Sequence, residues 1–368
     1  MQEPNQKQLT LTHQPDLAQD ARRPDELSLT VECHCRLTSL SLAIPRSALP
    51  LKSAVCHCNS CRHATGQLFA TFAVLPVELP EGIFDIGSLV RYDSSSSCER
   101  WFCKRCGASV LNVDKGTTPA EWEVGTGVLH FDDGLEGKLN RVQLWVEDVS
   151  GDGGAVVWIN RGQLAGMDRH RKGRQSEMVS YEQVKSLMQR SVEASSTQGS
   201  RDGERMQVRC HCRNVAFSLA WPSQDFNHCT GKFEASLDAC TSCRRVSGFE
   251  ITSWITVPKQ LLCVTAANSL DTFLADRTRL GHYQTSSDVS RYFCVRCGAT
   301  VFYHKHNLKT IDIGVGLLDS GNEGKARAEE WLAWQPYPKG LSYPEDAVDK
   351  DFVTNLTEGM RLAEEVVD

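Results

Sequence analysis

Closely spaced cysteines are the residues of this chain with the clearest capacity for chemistry. Cys33 and Cys35 are two positions apart, and on an extended strand residues at that spacing point to the same face. Cys103 and Cys106 belong to a CxxCG segment, whose turn brings two thiolates together while Gly107 accepts a left-handed backbone. Four thiolates around one point are the usual ligands of a structural zinc ion. The same spacings recur at Cys210, Cys212, Cys294 and Cys297, so the sequence predicts two closed zinc sites.

A third cluster offers only three thiolates, from Cys56, Cys58 and Cys61. Three protein ligands with an open fourth position are typical of catalytic zinc, which holds a thiol as thiolate or polarises a carbonyl oxygen. These three cysteines are therefore candidate catalytic zinc ligands. His57 alternates with the cysteines and is expected to face away from the metal. The competing interpretation is a second structural zinc site whose fourth ligand is His57, His63 or Cys98.

The corresponding cluster later in the chain has Asp238 where the earlier one has its first cysteine, followed by Cys240 and Cys243. A carboxylate ligates zinc but is a harder ligand than a thiolate, so this site is expected to be weaker or altered. His228 and Cys229 precede the cluster and are alternative replacement ligands. We therefore expect one or two zinc ions at the three-ligand clusters, and a structural or regulatory role for the second one.

These clusters lie in two diverged copies of one unit. Four sequence blocks recur in the same order, with loops of different length between them: residues 31–45 and 208–222, 60–76 and 242–258, 100–110 and 291–301, and 123–129 and 312–318. Such repetition indicates a tandem duplication. Within each copy the segments are short, rich in Val, Thr, Phe and Trp, and bounded by Pro and Gly, which is typical of strands. We predict a mainly β, largely antiparallel domain in each copy.

The remaining segments are predicted to connect or flank the two domains. We expect a tail over residues 1–27, a first zinc domain over 28–160, a polar linker over 161–204, a second zinc domain over 205–338 and a C-terminal tail over 339–368. The linker lacks a strand pattern. It carries a basic run at 169–174, expected to be solvated, and apolar residues at helical spacing, namely Tyr181, Val184, Leu187 and Met188. Residues 351–367 contain enough helix formers for a terminal helix.

Composition restricts the class of partner and compartment. The 368 residues carry 46 acidic and 40 basic side chains, a formal charge of −6, which argues against nucleic acid as a partner. The first residues contain no apolar signal segment, and no later window is apolar enough to span a membrane, so we expect neither secretion nor membrane insertion. We expect a reducing compartment, the cytoplasm or else the nucleus. There, 14 closely spaced cysteines among the 16 indicate metal binding rather than disulfides. The oligomeric state stays open.

The order of the motifs resembles the glutathione-dependent formaldehyde-activating enzyme / centromere protein V family. That family shows CxC, then CxCxxCR with a later Gly, then FCxxCG. The first copy matches with CHC at 33–35, CHCNSCRHATG at 56–66 and FCKRCG at 102–107. The second copy matches with CHC at 210–212, CTSCRRVSG at 240–248 and FCVRCG at 293–298, departing only at Asp238.

The resemblance implies a β-tent fold with a structural zinc on the CxC and CxxC cysteines and a second zinc on the CxCxxC cysteines, near the place where a glutathione adduct binds. It also implies a carbon–sulfur lyase type of reaction, the reversible condensation of formaldehyde with glutathione to S-hydroxymethylglutathione. We expect that activity in the first domain, with a small thiol–aldehyde adduct as partner. Arg62 either pairs with a glutathione carboxylate or balances the charge of the thiolates. The alternative function is a non-catalytic zinc module that binds a protein or chromatin partner.

Overall fold

The computed structural model describes residues 25–364 except 78, 80–86, 119, 187–202, 223–230, 265–268, 320–323 and 337. Most of the N-terminal tail, Leu187 and Met188 of the linker, and the alternative ligands His228 and Cys229 therefore lie outside the described residues. Within them, strands dominate and the two sequence copies have the same arrangement. The prediction of a mainly β chain with two tandem copies is confirmed.

The first copy consists of two sheets. Its elements are β1 (Glu26–Glu32), β2 (Ser39–Pro45), β3 (Leu51–Cys56), α1 (Asn59–Thr65), β4 (Ala70–Val74), β5 (Leu89–Asp93), β6 (Cys98–Cys103), β7 (Ser109–Asp114), β8 (Glu121–Gly125), β9 (Leu129–His130) and β10 (Leu139–Leu144). One sheet has the order β2-β1-β9, and the other has the order β10-β3-β4-β8-β7-β6-β5. All pairs are antiparallel except β10 with β3. In β1, Leu29 and Val31 alternate with less buried residues and enter the core, as a strand with one covered face requires.

The first part of the predicted linker packs against the first copy. Residues 162–166 form a short helix, and residues 167–179 lie along the outer edge of β10. There the Gln143 N–H donates to Asp168 O at 2.8 Å and the His170 N–H donates to Gln143 O at 2.8 Å. The buried side chains of this segment are Met167, Val179 and Val184, the last in α2 (residues 181–186). A strand edge needs hydrogen-bond partners, so a segment without a strand pattern of its own still docks there.

The second copy repeats the two sheets. Its elements are β11 (Arg205–Arg209), β12 (Ala216–Ala220), β13 (Phe233–Asp238), α3 (Thr241–Ser247), β14 (Thr252–Pro258), β15 (Leu262–Cys263), α4 (Leu270–Ala275), β16 (Leu280–Ser286), β17 (Val289–Cys294), β18 (Thr300–Lys305), β19 (Thr310–Gly314), β20 (Leu318–Asp319), β21 (Leu332–Trp334), β22 (Leu341–Ser342) and α5 (Lys350–Glu364). The sheet orders are β15-β12-β11-β20 and β16-β17-β18-β19-β14-β13-β21, with β22 also paired to β13.

Short 3-10 helices join several strands in both copies. They comprise Arg46–Ala48, Thr126–Val128, Val146–Val149, Gly154–Val157, Gly162–Gly166, Lys259–Leu261, Val315–Leu317 and Pro344–Asp346. Two of them, Thr126–Val128 and Val315–Leu317, occupy equivalent places after β8 and β19. Each packs against the short helix of the opposite copy.

The C-terminal segment is anchored, contrary to the tail predicted over residues 339–368. The predicted terminal helix is present as α5, and its apolar stripe is buried in the core: Phe352, Val353, Leu356 and Met360. Asp349 accepts the N–H of Phe352 at 2.9 Å at the start of this helix. The same carboxylate receives Arg141 at 2.7 Å, and Arg141 also pairs with Glu250 at 3.0 Å. The helix therefore joins both copies, because its apolar stripe and its first turn both have partners.

Glycines at the ends of α1 and α3 let the two copies meet backbone to backbone. Gly66 and Gly248 end these helices in the left-handed region, at φ +78° and +94°. A Cβ on Gly66 would lie 2.1 Å from Thr300 O, and one on Gly248 would lie 1.9 Å from Ser109 O. Gly66 O accepts the N–H of Gly316 at 3.1 Å. The contact has approximate twofold symmetry, because each copy offers the same helix end to the other.

One apolar core crosses this contact. Val55, Leu68 and Phe69 of the first copy belong to the same buried cluster as Ile251 and Ile255 of the second. At another point of the contact, Phe102 meets Phe293 edge to face, with ring centroids 6.3 Å apart. The first copy also has a core cluster of its own around Leu29, Val31 and Leu111. Because the shared cluster spans the contact, we expect the copies to unfold together.

We predict that Gly66→Ala destabilises the whole chain in a single unfolding transition. Left-handed strain costs an alanine about 1–2 kcal/mol, and the overlap with Thr300 O adds about 1–3 kcal/mol. The matched control is Gly137→Ala, since Gly137 has φ +69° but open space around its Cβ. Denaturant unfolding measures both. Equal losses in the two variants, or two separate transitions, would contradict an interface that the copies share.

Candidate metal centres

Two sets of four cysteine sulfurs converge, one in each copy. In the first, Cys33 and Cys35 follow the end of β1, whereas Cys103 ends β6 and Cys106 lies in the next turn. The four sulfurs lie within 4.8 Å of one another. The first pair was expected on an extended strand, but the structure places it in a turn, because β1 ends at Glu32. The sulfurs still converge, since the turn folds back with Arg36 at φ 59°.

The second copy reproduces this arrangement in Cys210, Cys212, Cys294 and Cys297, with Arg213 at φ 59°. In each set the sulfur that ends a strand is the most acidic. Hydrogen bonds from Cys106, Cys33 and Cys35 hold the pKa of Cys103 far below its usual range. Bonds from Cys210, Cys212 and Cys297 do the same for Cys294. Four converging, largely buried thiol groups, one of them strongly acidified, fit a tetrahedral zinc ion.

The three-cysteine cluster of the first copy is assembled by the end of a strand and the start of a helix. Cys56 ends β3, and Cys58 caps α1, its sulfur accepting the N–H of Cys61 at 3.2 Å. Hydrogen bonds from Cys56 and Cys58, followed by the charge of Arg100, lower the pKa of Cys61 well below its usual value. The three side chains are only 6% to 9% exposed. The sulfurs lie within 4.8 Å of one another, which fits three ligands of one metal.

The three candidates for a fourth ligand point elsewhere. The His57 Nε2 is hydrogen-bonded to Gln143 Oε1 at 3.1 Å, and the His63 Nδ1 donates to Arg209 O at 3.0 Å. Desolvation lowers the pKa of each imidazole to about 4, so both are neutral near pH 7. Cys98 does not join the group either. Within the described residues the cluster therefore has three ligands, and the interpretation as a closed site has no fourth one.

An arginine that the sequence analysis did not single out touches each three-ligand cluster. Arg100 donates from Nη2 to Cys61 Sγ at 3.2 Å, and Arg291 donates to Cys243 Sγ at 3.3 Å. Burial alone would lower the pKa of Arg100, but the sulfurs of Cys61, Cys98 and Cys58 raise it above its ordinary value. The sequence did contain a signal for these two arginines, because each is the first residue of a repeated block, 100–110 or 291–301.

Arg62 has a different environment. Its side chain is buried, and it donates to Asn59 Oδ1 at 3.0 Å and to Ala326 O at 3.4 Å in the second copy. Its counterpart Arg244 donates to Gly127 O at 2.7 Å in the first copy. Arg62, which was predicted to act near the first cluster, and its counterpart Arg244 therefore bind backbone of the opposite copy. Arg100 and Arg291 lie beside the sulfurs instead.

A carboxyl group with a raised pKa accompanies each cluster. Desolvation raises the pKa of Glu123 to about 7, and the negative charge of Cys61 contributes to the shift. Desolvation raises the pKa of Asp312 to about 6 despite the hydrogen bond from Thr256 at 2.7 Å. The two residues begin the repeated blocks at 123–129 and 312–318. Each can therefore hold or release a proton near neutral pH.

The cluster of the second copy is more open than that of the first. Asp238 ends β13, Cys240 caps α3 and accepts the N–H of Cys243 at 3.3 Å, and one oxygen of Asp238 accepts the N–H of Cys240 at 2.8 Å. The three ligand atoms lie within 4.8 Å of one another. Asp238 and Cys240 are half-buried and border a cavity of about 500 Å³. The carboxylate therefore stands where the first copy has a buried thiolate.

The middle residue of the CHC motif at each closed site, 33–35 and 210–212, crosses to the opposite copy. His34 and Tyr283 are joined by a hydrogen bond of 2.8 Å between Nδ1 and the hydroxyl. His211 and Tyr92 are joined by one of 2.6 Å. The backbone N–H groups of these histidines donate to Arg245 O at 3.1 Å and to His63 O at 2.9 Å, at the ends of α3 and α1. Each closed site therefore holds an imidazole next to the other copy's three-ligand cluster.

Comparison with known families agrees with this architecture. The sequence profile of the glutathione-dependent formaldehyde-activating enzyme family matches residues 28–148 and 205–333. The chain therefore belongs to that family and carries its domain twice. A search of curated proteins found no significant match. In the described part of the chain no helix is long and apolar enough to cross a membrane.

We predict that Cys106→Ser and Cys56→Ser have different consequences. The first removes a ligand from a closed site and should cost more than about 3 kcal/mol together with one tightly held zinc ion, because binding at such a site is folding free energy. The second should leave the melting temperature within a few degrees and loosen only an exchangeable metal. Cys98→Ser is the control, since this half-buried thiol lies outside every cluster. Equal melting of both variants would mean that the three-cysteine cluster is structural.

Proposed function

We propose that this protein catalyses a carbon–sulfur lyase type of reaction on a glutathione–aldehyde adduct such as S-hydroxymethylglutathione, with its active site in the first copy. The observation that supports this most is the group of Cys56, Cys58 and Cys61, which converge without a fourth ligand among the described residues. Family membership supports the substrate class. Because the proposed sites need reduced thiols, we place the protein in the cytoplasm.

The reaction is an addition of a thiol across a carbonyl group. In the forward direction the sulfur of glutathione forms a bond to the aldehyde carbon, the carbonyl becomes a hydroxyl, and the proton from sulfur ends on that oxygen. The reverse direction breaks the same carbon–sulfur bond. A zinc ion held by the three cysteines supplies a Lewis acid that favours the thiolate or polarises the carbonyl.

The surrounding side chains would control charge and water. Arg100 places a permanent positive charge against Cys61, which offsets part of the excess negative charge of three thiolates. Phe72 and Phe249 meet edge to face at 5.3 Å beside the sulfurs, and Phe249 comes from the second copy. This apolar wall excludes water and strengthens the electrostatic interactions inside. Glu123 can accept the thiol proton near neutral pH and return it to the alcohol oxygen.

We predict that the protein accelerates S-hydroxymethylglutathione formation above the spontaneous rate, and that Cys61→Ala loses at least tenfold of the enzymatic rate. Zinc at the two closed sites should be retained, because these sites share no ligand with the cluster. Cys98→Ser serves as the control and should keep full activity. A wild-type rate equal to the spontaneous one with every aldehyde tried would reject the catalytic proposal in favour of a zinc module that binds a macromolecular partner.

We further predict that Arg100→Gln lowers kcat/KM about 10- to 100-fold, since a hydrogen bond to a charged group contributes about 1.5–3 kcal/mol. The matched control is Arg91→Gln on the neighbouring strand β5, where the side chain is about half exposed and pairs with Asp93 and Glu99. Steady-state kinetics and zinc content measure the effect. If the two variants lose activity equally, Arg100 has no special role at the cluster.

A further inference from the structure

The cavity beside the second cluster has walls from both copies. Asp238, Cys240 and Cys243 form one side, and Arg291, Trp254 and Tyr303 of the same copy line it as well. His34 also lines this cavity, although it belongs to the CHC motif of the first copy. A volume of about 500 Å³ is enough for a small organic molecule. The closed site of the first copy thus contributes to a concave surface of the second.

His34 is fixed on several sides. Its neighbours Cys33 and Cys35 belong to the closed cluster, and its backbone N–H donates to Arg245 O at 3.1 Å. Arg245 in turn pairs with Glu32 across the same contact. The Nδ1 atom has Tyr283 as its partner, so among the described residues Nε2 is the ring nitrogen left for another molecule. An imidazole held in this way needs little ordering when a ligand binds.

Arg291 offers a second donor to the same cavity. Its side chain is only 4% exposed, and its Nη2 atom donates hydrogen bonds to Cys243 Sγ and Ser242 Oγ. The Nε atom is buried and lacks a hydrogen-bond partner in the described chain. Because the guanidinium also lines the cavity, it presents positive charge to an anionic ligand there.

The ligand atoms of the second cluster favour oxygen. Replacing one thiolate by the carboxylate of Asp238 makes a bound zinc ion harder, and harder ions prefer carboxylate, carbonyl or water oxygens to sulfur. The two donors, His34 and Arg291, also favour an acceptor that carries negative charge. A small carboxylate has the acceptor oxygens that the metal position and both donors favour.

We propose that this cavity is a second ligand site, built by both copies, which binds a small carboxylate with His34 and Arg291 as its donors. The site differs from the first cluster in its ligand atoms and in its access to solvent. It does not depend on turnover at Cys56, Cys58 and Cys61. The duplicated chain would therefore carry two sites with different preferences, one for sulfur and one for oxygen.

Titration of sodium acetate into the zinc-loaded full chain, followed by calorimetry at constant ionic strength, tests this. His34→Ala should weaken acetate binding at least tenfold. His211→Ala is the matched control, because His211 has the same place beside a closed site and the same bond to a tyrosine but does not line this cavity. It should leave acetate affinity unchanged. Equal weakening by both variants, or by neither, would overturn the proposal.

Glutamine variants and an Asp238→Cys variant provide two further measurements. If His34→Ala loses zinc or melts early, His34→Gln and His211→Gln replace the alanine pair, and the same difference in acetate affinity is expected. Asp238→Cys should reduce acetate affinity and increase affinity for 2-mercaptoethanol, a thiol without a carboxylate. Thiol binding stronger than acetate binding in the wild-type cavity would contradict the oxygen preference.

The outcome is separable from that of the proposed reaction. Acetate binding that depends on His34, without any acceleration of S-hydroxymethylglutathione formation, would reject the reaction and keep the second site. Acceleration that depends on Cys61, without specific acetate binding, would do the reverse.

Discussion

Four cysteine sulfurs that must meet at one point constrain the geometry of each copy. Two come from the turn after the first strand of the copy. The other two come from the last residue of a strand of the larger sheet and from the turn after it, so the four sulfurs join the two sheets of a copy. Thiolates brought this close repel one another unless a cation lies between them. The turn with Arg36 at φ 59° brings Cys33 and Cys35 to that point, and His34 lies between them in the sequence. A zinc ion at these sites would therefore stabilise the fold, whether or not the protein catalyses a reaction.

Each four-cysteine site also contacts the opposite copy. The CHC turn that supplies two thiolates also extends an imidazole across the contact, to Tyr283 in one direction and to Tyr92 in the other. Glycines at the helix ends allow the backbones to approach, and α5 covers part of the shared core. The surroundings of each three-ligand cluster thus include residues from both copies, such as Phe249 beside the first and His34 beside the second.

The two copies differ at their three-ligand clusters. Both keep an arginine on the last sulfur and a desolvated carboxyl nearby. They differ in one ligand, Cys56 against Asp238, and in exposure, because the first cluster is enclosed by aromatic side chains and the second borders a cavity. Duplication followed by one ligand change is a simple way for a single chain to acquire two metal sites of different hardness.

The sequence by itself determined the repeat, the strand-rich copies and the sets of cysteines, because ligand spacing and strand composition are local properties that short motifs record. It did not determine that residues 167–184 and α5 are packed, since their anchoring depends on a sheet edge and on a core formed elsewhere in the chain. From the sequence, Arg62 was expected either to pair with a glutathione carboxylate or to balance the thiolate charge, and Arg100 was not singled out. Both are near a cysteine in sequence, and only the fold decides which guanidinium reaches sulfur. The neighbours of His34 were likewise set by tertiary structure alone. Tyr283 lies on a strand far along the chain, and no local pattern encodes a contact between residues so distant in sequence.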